Sequence, residues 1–269
     1  MYTVLDAEEH QSKPPAWLYA ASEPARIVAE AFAHLSALPM LLNGPRGDGH
    51  TVMTLPGFMA SDLSTVWLRR LLRQLNYDIH PWLLGRNTGR IDLIDALTRR
   101  FLTLSDAAHG EKISLVGQSL GGVLARELAR EYPDRVRMVI TLGSPFGLGD
   151  TAGTNPLVQQ VFERVSAHTA EELRDHLLTG DPAEPPPVPC AAIYSRTDGV
   201  VAWTSCLERD RPNTENIEVH SSHSGMAVQP AVMHAVSDRL AQSPSDFRRF
   251  ERHRGVCQYV FPKPAYAAG

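Results

Sequence analysis

The feature that most constrains this chain is a serine flanked by two glycines, placed where a strand pattern changes into a helix pattern. Residues 112–116 are largely apolar, residues 120–131 have amphipathic helical spacing, and Gly117-Gln118-Ser119-Leu120-Gly121 joins them. A side chain at either glycine would crowd the neighbouring elements, so the pattern predicts a sharp strand-to-helix turn with Ser119 at its tip. Without this context, the same residues would be typical of a glycine-rich turn with an N-cap serine.

Ser119 is therefore the candidate nucleophile. A serine at the start of a helix lies beside the partial positive charge of the helix N-terminus, which favours a developing oxyanion. A serine hydroxyl is a weak nucleophile at neutral pH, and it needs a base that is itself oriented by an acid. Candidates for both groups lie downstream of Ser119.

The candidate acid is Asp198, which follows the strand pattern of residues 191–195 and precedes Gly199. An aspartate just past the carboxyl end of a parallel strand reaches the sheet edge where Ser119 is expected. Aspartate is also common in turns before glycine, so a purely local role is the alternative interpretation. Asp150, beyond the fourth predicted strand, is the second candidate acid.

The candidate base is His223, in the loop that follows the last predicted strand, residues 217–220. His220 is the alternative candidate. It lies at the end of the strand, where the pleat fixes the direction of its side chain. His234 falls inside a predicted helix and His50 precedes the first strand, so neither is favoured.

An oxyanion is stabilised by two main-chain N–H groups. One is expected from Leu120, the residue after the candidate nucleophile, and the other from Phe58, in the loop after the first strand. Pro56 of this loop has no N–H group and cannot serve as a donor.

Three residues on loops at the same sheet edge are predicted to bind substrate: Asn87, Met59 and Phe146. Asn87 lies in Gly85-Arg86-Asn87-Thr88-Gly89, where it would either orient the loop that carries Phe58 or contact substrate. The alternative is that this segment is only a turn bounded by glycines.

Strand and helix patterns alternate along the chain, which predicts an α/β fold with a mostly parallel sheet and helices on both faces. The predicted strands are residues 51–55, 77–83, 112–116, 136–142, 191–195 and 217–220. The predicted helices are residues 24–42, 62–75, 91–104, 120–131 and 230–240.

The order of these elements divides the chain into three parts: an N-terminal helical extension (residues 1–50), a main α/β domain (51–242) and a C-terminal tail (243–269). Within the main domain, residues 144–189 follow the fourth strand and are long for a connection. They predict a lid or cap over the site, with ordinary crossover packing as the alternative.

The helix of the N-terminal extension begins near Pro24 and carries Ile27, Ala31, Leu35 and Leu38 at helical spacing, so it is expected to dock on the main domain. No apolar stretch is expected to reach the length of a membrane span, and the N-terminus lacks the basic segment of a signal peptide. The expectation is a cytoplasmic protein without an integral membrane segment.

Composition narrows the range of ligands. The formal net charge of −4 provides no general attraction to nucleic acid or anionic membranes. Cys190, Cys206 and Cys257 are odd in number and widely spaced, so neither a disulfide framework nor a zinc site is indicated. Neither a metal ion nor an organic cofactor is expected.

Together these motifs resemble the esterase and lipase branch of the α/β-hydrolase superfamily. The resemblance extends from about Thr51 to Leu240 and rests on Pro56-Gly57-Phe58, the Ser119 turn, Gly143-Ser144-Pro145, Asp198 and Ser222-His223-Ser224-Gly225. It implies the α/β-hydrolase fold, the chain order serine, acid, histidine, and cleavage of a carboxylic ester through an acyl-enzyme. Many relatives have His-Gly where this chain has Pro56-Gly57.

An apolar stripe within the 144–189 insertion points to a hydrophobic acyl group, and hence to a small-molecule or lipid ester as substrate; it consists of Leu157, Val158, Val161, Phe162 and Val165. Two other functions stay open. One is an acyltransferase that passes the acyl group to an alcohol or amine with the same three residues. The other is a binding protein that retained the fold without catalysis.

Overall fold

The computed structural model describes residues 15–146, 164, 181–243, 246–253, 255 and 257–262. Its strands form one sheet: β1 (Thr51–Leu55), β2 (Asp78–His80), β3 (Ile113–Gln118), β4 (Val136–Leu142), β5 (Cys190–Ser195) and β6 (Thr214–Val219). The helices within this part of the chain are α1 (Trp17–Leu42), α2 (Val66–Gln74), α3 (Ile91–Ala107), α4 (Leu120–Glu131), α5 (Pro230–Leu240) and the short α6 (Cys257–Val260).

The strands lie in the order β2-β1-β3-β4-β5-β6, and each described neighbouring pair is parallel. From β1 the chain moves outward to β2 and then returns to β3 on the other side of β1, which makes β1 and β3 a switch point of the topology. Connections diverge at such a point and leave a crevice outside the carboxyl ends of the strands. The predicted α/β architecture with a parallel sheet is confirmed.

Both faces of the sheet are covered by helices, as the apolar strands require, and β3 and β5 are buried along their whole length. One face packs against α2 and α5 through a core that includes Leu68, Leu71, Val116, Ile193 and Val232. The other face packs against α3 and α4 through a core that includes Leu97, Phe101, Leu115 and Leu124.

The second strand and the second helix are both shorter than predicted, and one carboxylate accounts for both differences. Asp62 accepts hydrogen bonds from the main-chain N–H groups of Trp82 (3.0 Å) and Leu83 (3.1 Å). These bonds direct the chain away from the sheet after β2, so the strand ends at His80. They also keep Asp62 in the loop before the helix, so that α2 begins only at Val66.

The N-terminal helix α1 differs most from its prediction. It begins at Trp17 and includes Pro24 as an interior residue, and it packs against α2 and α5. Leu35, part of the predicted apolar stripe, is 53% exposed, whereas the helix buries Glu23, Glu30, His34 and Leu41. The predicted docking on the main domain is seen, but the apolar stripe is only partly buried: Ile27, Ala31 and Leu38 are half-buried, because polar contacts with neighbouring loops decide how this helix is oriented.

The longer helix also corrects the expectation about membrane spans. α1 has 26 residues, and its most apolar 18-residue window has a mean hydropathy of 1.3, so by length and composition alone it is able to cross a membrane. The predicted helix, which begins near Pro24, is too short to show this property. In the folded chain, however, the charged side chains of Glu23 and Glu30 are hydrogen-bonded to loops of the main domain.

Most of the predicted lid or cap, namely residues 147–163 and 165–180, lies outside the described residues, and so does the alternative acid Asp150. Part of the C-terminal tail is described. Phe247, Phe250 and Phe261 pack against the core on the α5 side of the sheet. This part of the tail therefore contributes to the fold.

A buried ion pair connects α4 to the chain around β5. Arg126 is 0% exposed, and its guanidinium donates to the carboxylate of Glu208, which is 5% exposed. The same guanidinium donates to the carbonyl oxygens of Pro182 and Glu184, both at 3.1 Å. A buried guanidinium needs such partners because the loss of hydration is otherwise uncompensated.

Replacement of Glu208 by glutamine is expected to lower the free energy of unfolding by about 3–5 kcal/mol, since it leaves the charge of Arg126 buried without a counter-ion. Glu184→Gln is the matched control, because the Glu184 carboxylate pairs with Arg209 and Arg211 at a side-chain exposure of 46%. Such exposed pairs contribute less than about 1 kcal/mol. Urea unfolding of both variants measures the difference, and equal losses would contradict the prediction.

Candidate active site

Ser119 occupies the predicted turn between β3 and α4 in a strained backbone conformation, with φ 51° and ψ −124°. A side-chain carbon at Gly121 would lie 2.4 Å from the carbonyl oxygen of Leu55, so only glycine fits beneath the turn. The Ser119 N–H donates to the carbonyl oxygen of Leu142 at 2.8 Å. Contacts from β1 and β4 thus hold a conformation that an isolated serine avoids.

The loop after β1 passes directly beside Ser119. A side-chain carbon at Gly57 would lie 3.1 Å from Cβ of Ser119. Phe58 follows Gly57, and Leu120 is the first residue of α4, whose first N–H groups have no acceptor within the helix. The two predicted oxyanion donors therefore belong to segments that meet at the candidate nucleophile.

Asn87 holds this loop in place. Its side-chain N–H donates to the carbonyl oxygen of Pro56 (2.8 Å), its main-chain N–H donates to that of Ala60 (2.8 Å), and its own carbonyl oxygen accepts from the N–H of Met59 (2.7 Å). The residue is 1% exposed. This is the loop-orienting arrangement, and the buried amide is not open to a substrate.

The other two predicted substrate-binding residues lie in different surroundings. Met59 is half-buried in the loop held by Asn87, with a positive φ of 60°. Phe146 is 2% exposed, and its ring lies 3.7 Å beneath the Arg126 guanidinium. In this arrangement the Phe146 ring is packed against α4 and does not present a surface to substrate.

His223 and Asp198 are joined by a hydrogen bond of 2.7 Å between Nδ1 and Oδ2. The second oxygen of Asp198 accepts from the main-chain N–H groups of Val200 (2.8 Å) and Val201 (2.9 Å), which fixes the carboxylate. Both residues are buried, whereas His220 is exposed directly after β6. Of the two candidate histidines, His223 is thus the one that contacts the candidate acid.

Ser119, Asp198 and His223 follow β3, β5 and β6, so all three lie at the carboxyl edge of the sheet. Gln118, next to the serine, donates through its side chain to the carbonyl oxygen of His223 at 2.9 Å and ties the two loops together. Within the described chain, the Ser119 hydroxyl and the His223 ring form no hydrogen bond. Catalytic hydrogen bonds are often long before substrate binds.

Comparison with known proteins agrees with the fold. A family model described as the alpha/beta hydrolase fold matches residues 72–183. Lipase B of Aspergillus fumigatus is similar at a TM-score of 0.53 and 15% identity, over 74% of this chain and 55% of the lipase. 2-Hydroxy-6-oxo-6-phenylhexa-2,4-dienoate hydrolase from Rhodococcus sp. strain RHA1 is similar at a TM-score of 0.53 and 15% identity, over 71% of this chain and 90% of the hydrolase. A serine hydrolase of Cycloclasticus zankles is similar at a TM-score of 0.51 and 15% identity, over 73% of this chain and 90% of that enzyme.

This chain is an α/β-hydrolase-fold protein. At these levels of identity the solved structures establish the fold, and the chain covers only 55% of the fungal lipase.

The electrostatics of the candidate site raise the pKa of His223. Burial by itself lowers the pKa of His223, but the charge and hydrogen bond of Asp198, together with the charge of Glu23, raise it above its ordinary value. The bond to Asp198 also assigns the tautomer. With Nδ1 donating to the carboxylate, Nε2 of the neutral ring is left as the acceptor.

A second hydrogen-bonded series of Asp, His and Ser lies elsewhere in this α/β-hydrolase fold. Asp48 accepts from His50 Nδ1 at 2.5 Å, and His50 Nε2 lies 2.9 Å from the hydroxyl of Ser114. Ser114 is 1% exposed near the start of β3, away from the carboxyl edge of the sheet. Because no substrate reaches a buried hydroxyl, these bonds satisfy internal polar groups and are not a candidate site.

Sequence reasoning missed one set of residues at the candidate site. The carboxylates of Glu23 and Glu30, on α1, accept main-chain N–H groups of the loop that carries His223. Their spacing of seven residues places them on one helix face, which is a detectable signal. Apolar periodicity does not reveal these residues, because both are charged.

The hydrogen bond to Asp198 leads to a direct test by NMR titration of the histidine rings. His223 is expected to titrate above the ordinary histidine pKa of about 6.5, and Asp198→Asn is expected to lower its pKa because burial then dominates. His234, which contacts Cys257 and aromatic rings, serves as the internal control and should titrate alike in both proteins. An unchanged His223 pKa in the variant would contradict the assigned interaction.

Proposed function

We propose that this chain is a serine hydrolase that cleaves carboxylic esters through an acyl-enzyme. Ser119 is the nucleophile, His223 the general base and Asp198 the residue that orients the base. The observation that carries the proposal is the buried hydrogen bond between Asp198 and His223, at the same sheet edge as a serine in a strained turn. This combination of base, orienting acid and half-buried serine is what nucleophilic catalysis by serine requires.

In the acylation step, His223 Nε2 accepts the hydroxyl proton of Ser119 as the serine oxygen attacks the ester carbonyl. The resulting imidazolium is stabilised by Asp198, whose carboxylate needs no rearrangement because two main-chain N–H groups already hold it. The imidazolium then donates its proton to the leaving alcohol. Because Nδ1 is occupied by Asp198, the serine hydroxyl has to reach Nε2 for the reaction to start.

The charge that develops on the carbonyl oxygen is accepted by the N–H groups of Phe58 and Leu120 in this proposal. Asn87 acts on Phe58 indirectly, because it fixes the loop on both sides of that residue. Water attacks the acyl-enzyme in the second half of the reaction, with His223 again as the base, and the acid product leaves.

The decisive experiment is labelling by a fluorophosphonate probe, which reacts with activated serines. We expect the wild-type protein to be labelled, and Ser119→Ala to abolish labelling and to lower kcat by about 10⁶-fold. Ser114→Ala is the matched control. It removes the hydroxyl that is hydrogen-bonded to His50 in the internal Asp, His and Ser series, and it should leave labelling intact. A wild-type protein that resists the probe would instead favour a non-catalytic binding protein.

The acyl group that this site accepts is proposed to be hydrophobic, in a small-molecule or lipid ester. Exposed apolar side chains follow β1 and β2 at the carboxyl edge of the sheet: Leu63 is 77% and Leu83 is 62% exposed. A lipase is among the similar solved structures, which supports the same substrate class.

With p-nitrophenyl esters of increasing acyl length, kcat/KM is expected to rise until the acyl-binding surface is filled. Each buried methylene contributes about 0.8 kcal/mol, which corresponds to about fourfold in kcat/KM. Rates that stay constant from acetate to decanoate would rule out an apolar acyl site while leaving the ester chemistry in place.

A further inference from the structure

The N-terminal helix α1 reaches both loops of the proposed site with charged side chains. Glu23, Arg26 and Glu30 follow one another at intervals of three and four residues, so they project from one helix face. Arg26 donates to the carbonyl oxygen of Thr197 at 2.6 Å and to its hydroxyl at 2.8 Å, immediately before Asp198. The outward residues of the same helix are apolar, among them Val28, Phe32 and Leu35.

Glu23 connects the loop of the acid to the loop of the base. One oxygen of its carboxylate accepts from the N–H of His223 (2.8 Å) and from that of Gly199 (3.1 Å), and the other accepts from the N–H of Ser224 (3.1 Å). Gly199 directly follows Asp198 in the chain. A single carboxylate, 7% exposed, therefore fixes the separation between the two loops.

Glu30 holds the other side of the histidine. Its carboxylate, in a residue that is 9% exposed, accepts from the N–H of Ser222 at 2.6 Å and from the hydroxyls of Ser221 and Ser222. The two glutamates together bind three consecutive N–H groups of the chain, at residues 222, 223 and 224.

The loops are shaped to admit this helix. A side-chain carbon at Gly225 would lie 1.6 Å from the Glu30 carboxylate, and one at Gly199 would lie 2.6 Å from the main-chain carbon of Tyr19. Both loops therefore carry glycine at the point where α1 approaches closest. A helix whose role was only to cover the domain would need neither glycine nor a buried carboxylate, since apolar residues do this at lower cost in desolvation.

We propose that Glu23 and Glu30 are positioning residues, which hold the Asp198 and His223 loops in catalytic register and make the N-terminal helix part of the active site. This inference rests on the proposed function. Glu23 has a further effect, because its negative charge lies near the imidazolium that forms when His223 takes the serine proton. The charged groups that act on His223 are Asp198, after β5, and Glu23, on α1; after the effect of burial, both raise its pKa.

The test compares Glu23→Gln and Glu30→Gln with a control at another buried glutamate. Glu215→Gln is matched, because Glu215 is 7% exposed and accepts from Arg239 and from the N–H of Phe250, both at 2.7 Å, on the α5 side of the sheet. Urea unfolding, kcat and KM on one p-nitrophenyl ester, and the pH dependence of kcat are measured for all three. Glu23→Asp, which keeps the charge, replaces Glu23→Gln if that variant does not fold.

Both α1 variants are expected to lose about 10²-fold in kcat with little change in KM, since a displacement of about 1 Å in the catalytic groups has this effect. In Glu23→Gln the acid limb of the pH profile should also move to lower pH, because one charge that favours the protonated ring is removed. The acid limb of the pH profile of Glu30→Gln should stay where it is in the wild-type protein. The control should lose stability and keep its kcat.

If Glu23→Gln and Glu30→Gln lose only stability, as the control does, the two carboxylates merely attach the helix and the inference is overturned. Fluorophosphonate labelling of the wild-type protein is run alongside. A labelled wild type with unimpaired α1 variants removes only this inference, whereas an unlabelled wild type removes the proposed function and this inference with it.

Discussion

The backbone of Ser119 is the constraint on which the site depends. Its φ of 51° places the hydroxyl at the tip of the turn, at a conformational cost of about 1–3 kcal/mol for a residue other than glycine. The close contact of Gly121 with the Leu55 carbonyl and the hydrogen bond from Ser119 to Leu142 maintain that conformation. The position of the serine is therefore inseparable from the spacing of β1, β3 and β4, and the apolar core that sets this spacing also positions the candidate nucleophile.

Strand ends bring the functional groups to one edge, but hydrogen bonds to buried polar groups determine the loop conformations there. Asp198 is held by the N–H groups of Val200 and Val201, and the loop of Phe58 is held by Asn87. The loops of Asp198 and His223 are joined through Glu23. Each of these polar groups is buried with partners, which is the condition under which it stabilises a unique arrangement and does not cost stability.

Some of these features were predictable from the sequence and others were not, for physical reasons. Ser119, Asp198 and His223 were identified as candidates because each follows a strand pattern, and parallel strands bring such positions to the same edge. The polar residues at the centre of the buried face of α1 were not predicted, because apolar periodicity carries no information about unsatisfied N–H groups in distant loops. Asp62 was similarly assigned to a helix, although it serves the N–H groups of Trp82 and Leu83.

Local sequence was sufficient for the α/β architecture, the serine turn and the choice of a candidate acid and a candidate base, because strand patterns, glycine spacing and residue type are properties of short segments. Tertiary structure alone decided that His223 contacts Asp198 and that His220 is left exposed. It also decided that Asp48, His50 and Ser114 form an internal series of hydrogen bonds and that an N-terminal helix contacts the loops of both Asp198 and His223. These outcomes depend on distances between residues far apart in the chain, which only the packed sheet and helices determine.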